Sequence, residues 1–153
     1  MNDTRATMRV APVSAPAMIL GIGGLVPFVG LAVMIALGPG TWYGYSLTAL
    51  SYYGAVILAF VGALHWGYAL KRSALGGEAW LQYGFSVAPA LVAWLSLLLP
   101  VWTGLRLQAF ALLICYVFDR TTAHNDPVPQ WFLRLRAVLT VVGAASLIFA
   151  SWV

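Results

Sequence analysis

The stretch TALSYYGAVILAFVGALHWGYAL, Thr48 to Leu70, contains no Asp, Glu, Lys or Arg and ends at the pair Lys71-Arg72. At 1.5 Å rise per residue, a helix needs roughly 17–25 apolar residues to cross the hydrocarbon core of a bilayer. This run satisfies that requirement and reads as a transmembrane helix. Four further apolar runs lie around it, at Ala17–Leu37, Gln82–Leu99, Leu105–Phe118 and Phe132–Val153. The first, third and last are long enough by themselves. The run from Leu105 to Phe118 is short and needs its flanks, Leu105 and Asp119, to reach both interfaces.

Composition agrees. The chain has 153 residues, of which 62% are hydrophobic and 8% charged, and its mean hydropathy is +0.90. Soluble domains carry about a quarter charged residues, and a chain this small could not hide so much apolar surface from water. The net charge of +4 rests on eight basic residues spaced between apolar runs. Nucleic-acid binding needs them clustered on a polar face, so no nucleic-acid partner is expected. Cys115, the one cysteine, lies inside an apolar run and reads as a small core residue. Arg5 and Arg9 precede the first run, as in a signal sequence. A signal core spans only roughly 7–15 residues, however, and Ala17–Leu37 is longer and interrupted by Pro27, so it reads as a retained span. The expected architecture is an all-α integral membrane bundle of five transmembrane helices. Residues 1–16 form a short flexible tail and residues 17–153 a single domain.

The basic residues orient it. Arg5, Arg9, Lys71, Arg72, Arg120, Arg134 and Arg136 fall on one side of a five-span chain, and only Arg106 on the other. The positive-inside rule then puts the N-terminus inside and the C-terminus outside, in a bacterial inner membrane or alternatively the mitochondrial inner membrane. The aromatic residues gather at helix ends, with Trp42, Tyr43, Tyr45, Trp102 and Trp152 on the outer side and Trp80, Tyr83 and Trp131 on the inner. Amphipathic rings prefer that headgroup level.

Packing signals concentrate in the second span. Ser51, Ala55, Ala59, Ala63 and Gly67 recur at every fourth position and predict a ridge along which another backbone approaches closely. His65 falls on roughly the opposite face, with Leu58 and Val61, which places this helix at the bundle centre. Pro27 and Pro89 predict kinks in the first and third spans, each freeing the carbonyl four residues earlier, on Gly23 and Phe85.

The chemistry-bearing candidates gather on the inner side. His65 lies six residues before Lys71, about 9 Å along the helix axis, and ionisable groups at such depth face a partner or a cavity. Asp119 closes the fourth span, Arg134 and Arg136 open the fifth, and the loop between, with His124, Asn125 and Asp126, is short. An Asp119–Arg134 or Asp119–Arg136 ion pair is therefore expected. With Trp66, these residues (His65, Trp66, Asp119, Arg134 and Arg136) form the candidate ligand-binding set. Arginines at an inner helix end also serve simply to snorkel towards phosphates. A bis-histidine haem lacks its second histidine. No Cys/His zinc spacing, nucleophile elbow, P-loop or dinucleotide fingerprint occurs, and no Asp or Glu is expected in a span interior. No catalytic residue, metal or cofactor is indicated by motif.

Several segments together resemble a known family: Leu20-Gly21-Ile22-Gly23-Gly24-Leu25-Val26-Pro27-Phe28, Tyr53 to Leu58 with Leu64-His65-Trp66-Gly67, Asp119-Arg120, and Trp131 to Arg136 followed by Leu139-Thr140. They are similar to a bacterial membrane family catalogued as a domain of unknown function, which also contains a small multi-span mitochondrial membrane protein of animals. The resemblance implies a small helical membrane protein and no particular activity. Three functional readings follow. The first is a non-enzymatic accessory or assembly protein that binds another membrane protein complex or a second copy of itself. The second is a binder of a quinone or an anionic lipid headgroup in an inner-leaflet pocket. The third is a transporter or channel subunit that uses the kinked helices.

Overall fold

In hydrocarbon every backbone polar group must be paired within the protein, so an apolar chain that crosses it folds as helices. A computed structural model describes residues 14–72, 76–125 and 129–153, and every regular element among them is helical. These are α1 (Ala15–Gly23), α2 (Leu25–Leu37), α3 (Gly40–Arg72), α4 (Gly76–Leu97), α5 (Val101–Asn125) and α6 (Gln130–Ala150). Five segments are long and apolar enough to cross a membrane: Ala15–Leu37, which joins α1 and α2, Gly40–Gly67, Trp80–Leu97, Val101–Thr121 and Gln130–Ala150. The expected all-helical membrane architecture is therefore present.

Boundaries differ from expectation at two places. The expected tail over residues 1–16 lies outside the described residues as far as residue 13, while Ala15 and Pro16 already belong to α1. Proline fits the first helical turn because its missing N–H has no intrahelical acceptor there. The fourth span is also longer than its apolar run. Asp119 does not close it, because α5 continues to Asn125. Charge ends a membrane helix only when it must reach water, and the Asp119 carboxylate is paired inside the protein (below).

Of the two prolines, only Pro27 accompanies a break. Between α1 and α2 the Gly24 N–H bonds the carbonyls of Leu20 and Gly21 at 3.0 and 3.1 Å, and Tyr53 Oη donates to the Gly24 carbonyl at 2.8 Å. Tyr53 is further fixed by an edge-on contact with Phe28, ring centroids 5.0 Å apart. Tyr53→Phe should thus remove one hydrogen bond and cost about 1 kcal/mol. The check is thermal unfolding in detergent, and an unchanged midpoint would show that the hydroxyl does not pin the break. Pro89, by contrast, sits within an uninterrupted α4.

Helix α3 packs against α2, α4, α5 and α6, most extensively against α4, and so occupies the centre. Its enclosed face runs through Leu47, Leu50, Gly54, Leu58, Val61, His65 and Ala69, close to the 3.6-residue period of a helix. The small-residue ridge follows this face only in part. Ser51 and Ala55 are buried and Ala59 is half-buried, but Ala63 and Gly67 are exposed, with nothing within 4 Å of a Cβ built on Gly67. A spacing of four drifts about 40° per step around a helix, so a line that begins inside the bundle leaves it within a few turns. The close approaches occur instead at Gly54, where a Cβ would collide with Gln108 Oε1, and at Gly62, against Ser86 and Pro89.

Mid-bundle, the buried Gln108 ties three helices together. Its Nε2 donates to the Ser51 carbonyl at 3.0 Å and to Ser96 Oγ at 2.8 Å, and Ser96 Oγ donates to the Ala93 carbonyl at 2.6 Å. At the end opposite His65, Arg106 donates to Ser151 Oγ and to the Ser151 carbonyl at 3.2 and 3.0 Å and lies 4.8 Å from the centroid of the Trp152 ring. A cation there satisfies a helix C-terminus and complements its dipole. Cys115 is buried in the core, as expected.

Candidate functional site

About two turns before the ends of α3 and α5, and in the second turn of α6, three ionisable side chains come together. Arg136 Nε donates to Asp119 Oδ2 at 2.9 Å, and Arg136 Nη2 donates to the same oxygen. The other carboxylate oxygen, Oδ1, lies 3.0 Å from His65 Nε2. All three residues are buried, at 3% exposure for His65, 9% for Asp119 and 6% for Arg136. Of the two ion pairs the sequence allows, Asp119–Arg136 is the one formed, and Arg134 is exposed.

Aromatic rings close the cluster. The His65 ring lies 5.2 Å from both Phe85 and Phe118, which stack on each other with centroids 3.6 Å apart. Such walls exclude water, strengthen each charged hydrogen bond and make an unpaired charge costly. The carboxylate therefore matters as the counter-charge that lets Arg136 sit inside the bundle. Asp119 lies two residues before the end of the apolar segment Val101–Thr121 and is enclosed by protein there.

Trp66 stands apart from this cluster. It is exposed, its ring edge-on to Tyr83 at 5.1 Å, as its position one residue (about 100° of helix) from His65 requires. His124 and Asn125 fall in the last turn of α5 rather than in a loop, their side chains outside the described residues, as is Asp126.

Beside the ion cluster runs a feature the sequence did not reveal, a cleft of about 130 Å³ bounded by α1, α2, α3, α5 and α6. Its walls are apolar, with Phe28, Phe60 and Leu139 prominent, except for Arg136 and Thr140. These two lie four residues apart on α6 and hence on one face. Arg136 uses Nε and Nη2 on Asp119, and Nη1 makes no hydrogen bond among the described residues. Neither does Thr140 Oγ1, in a residue only 4% exposed. The cleft thus offers two polar groups at one end of an apolar slot, the usual composition of a small-molecule site. The signal was present in sequence as Arg136-x-x-x-Thr140. Its meaning depended on where α1 and α2 lie against α6, which no local pattern reports. Among the described residues no group of three or more His, Cys, Asp or Glu is placed to hold a metal ion.

Comparison with known proteins gives the chain a family. Residues 13–152 match the model of a family described as "Protein of unknown function (DUF3429)". The chain is similar to Transmembrane protein 69 of Xenopus tropicalis, 36% identical over 135 residues that cover 87% of this chain and 52% of the relative. It is also similar to Transmembrane protein 69 of Mus musculus, 27% identical over 138 residues covering 87% and 54%. The chain spans about half the length of these animal relatives. No solved structure matches it.

Proposed function

The chain belongs to the DUF3429 family of membrane proteins, and from that premise we propose that it binds an amphipathic, lipid-soluble molecule in the cleft beside Arg136. The observation that carries this reading is the composition of the cleft, apolar throughout except for Arg136 and Thr140 on one face of α6. An apolar body enters from the bilayer and its head is oriented by the guanidinium and the hydroxyl. Asp119, itself in contact with His65, holds the guanidinium in place from behind. By the distribution of basic residues, the N-terminus and this site lie on the cytoplasmic side of a bacterial inner membrane, or on the matrix side in mitochondria.

Gentle purification from native membranes followed by mass spectrometry of the bound small molecules tests the proposal. One amphipathic species at stoichiometric level is expected. It should be lost from Leu139→Trp, which fills the cleft, while that variant keeps its thermal midpoint. Retention of the same species by a folded Leu139→Trp protein would refute the cleft as its site.

A second reading has its own support. The C-terminal half of the small-residue line on α3, Ala63 and Gly67, is exposed, and small exposed residues let a partner helix approach closely in lipid. On this reading the chain is an accessory or assembly protein, and a stoichiometric protein partner would co-purify and be displaced by Gly67→Leu.

A further inference from the structure

The proposed binding role leaves open what kind of head the cleft accepts, and the charge arrangement around Arg136 bears on it. We infer that the cleft selects an uncharged carbonyl acceptor on an apolar body, as in a quinone ring or a neutral glyceride ester, and discriminates against an anionic phosphate head. This inference rests on the cleft being the binding site.

Charge comes first. The Arg136 guanidinium is already neutralised, because two of its nitrogens bond the Asp119 carboxylate. The second carboxylate oxygen is taken by His65. The Arg136–Asp119 pair by itself sums to zero. A phosphate brought against Arg136 would add at least one negative charge to an enclosed apolar site. Among the described residues Arg136 is the only charged one lining the cleft, and the neighbouring Arg134 and Arg120 are exposed. An uncompensated charge so placed is strongly unfavourable. A carbonyl oxygen adds no charge and has two lone pairs to accept with.

Geometry agrees. Arg136 and Thr140 stand about 6 Å apart along α6, and both line the cleft. The volume, about 130 Å³, falls below the roughly 300 Å³ at which pockets enclose a whole drug-sized ligand. The cleft therefore takes a compact head and leaves the tail along the lipid-facing surface. The wall opposite α6 includes Gly21 and Gly24, and a Cβ on Gly21 would lie 3.3 Å from Leu135 and 3.5 Å from Leu139. Glycine there keeps α1 and α6 close enough for a thin slot, which suits a flat ring or a single ester.

Equilibrium binding by the full chain in nanodiscs of zwitterionic lipid tests the inference, with three probes of matched chain length: an alkyl benzoquinone, a diacylglycerol and a phosphatidic acid. Saturable one-to-one binding of the quinone or the diacylglycerol is expected, and whichever binds tighter identifies the source of the carbonyl. Phosphatidic acid should bind at least tenfold more weakly, with no salt dependence that favours it. Thr140→Val, nearly isosteric, should weaken the neutral probe about tenfold, and Thr140→Ser should restore it. Preferential, salt-sensitive binding of phosphatidic acid that Leu139→Trp abolishes would overturn the selectivity and leave the cleft standing. Binding of no probe, or binding unchanged in both Thr140→Val and Leu139→Trp, would overturn the cleft itself and the inference with it.

Discussion

Asp119→Leu should be the most damaging single substitution in this protein. It removes the only counter-charge in contact with Arg136 among the described residues and leaves a guanidinium enclosed at 6% exposure. Removing one member of a buried pair costs about 3–5 kcal/mol, since the survivor keeps its desolvation penalty and loses its compensation. That is a large fraction of the stability of a small protein, so the variant should accumulate poorly and unfold well below the wild type in detergent. The double variant Asp119→Leu/Arg136→Met separates the two roles of the pair. Replacing both ions by apolar groups of similar size is often neutral or stabilising, so the double variant should regain most of the lost stability. It should not regain ligand, because Nη1 is gone from the cleft. If Asp119→Leu alone unfolds with the wild type, the carboxylate does not compensate Arg136 and the electrostatic account of the site fails.

The ion pair also shows what the sequence could and could not convey. That Asp119 would meet an arginine of α6 was legible, because a short connection forces the end of α5 and the start of α6 to be neighbours. Which arginine was not legible. Arg134 and Arg136 differ by about 200° around the helix, and the phase of α6 against α5 is set by the whole interface. His65 was legible as the polar residue on the enclosed face of α3, in line with Leu58 and Val61. Its contact with Asp119 required the placement of α5 beside α3, a tertiary fact without local trace. The five spans were readable because hydropathy and length are additive along the chain, whereas the true length of α5 was hidden by Asp119, a charge that pairs internally. The small-residue ridge misled in its lower half because a four-residue repeat is not the helical period.

The same arithmetic identifies the second large effect, at Gly62. This residue keeps step with Leu58 and His65 on the enclosed face of α3, where it meets α4, the helix α3 packs against most extensively. A Cβ on Gly62 would lie 2.8 Å from the Ser86 carbonyl oxygen and 2.9 Å from both Cβ and Cγ of Pro89. Neither neighbour can yield easily. One is backbone, and the other belongs to a ring that fixes its own φ. Gly62→Ala must therefore push α4 away from α3. Overpacking of this kind costs about 1–3 kcal/mol, and in lipid the lost dispersion contacts are not offset by a hydrophobic drive between the helices. Gly62→Leu should be worse still. Because α4 also carries Phe85, whose ring packs on His65, the displacement should loosen the ion cluster and lower ligand retention together with stability. Gly67→Ala supplies the control, five residues along the same helix. Its Cβ meets nothing within 4 Å, and replacing glycine in a helix interior is worth up to about 1 kcal/mol in the favourable direction. Thermal unfolding of the two variants side by side should move the midpoint down for Gly62→Ala and leave it level or raised for Gly67→Ala. Equal midpoints would mean that α3 and α4 are not held together at Gly62, and that the close packing of this bundle lies elsewhere.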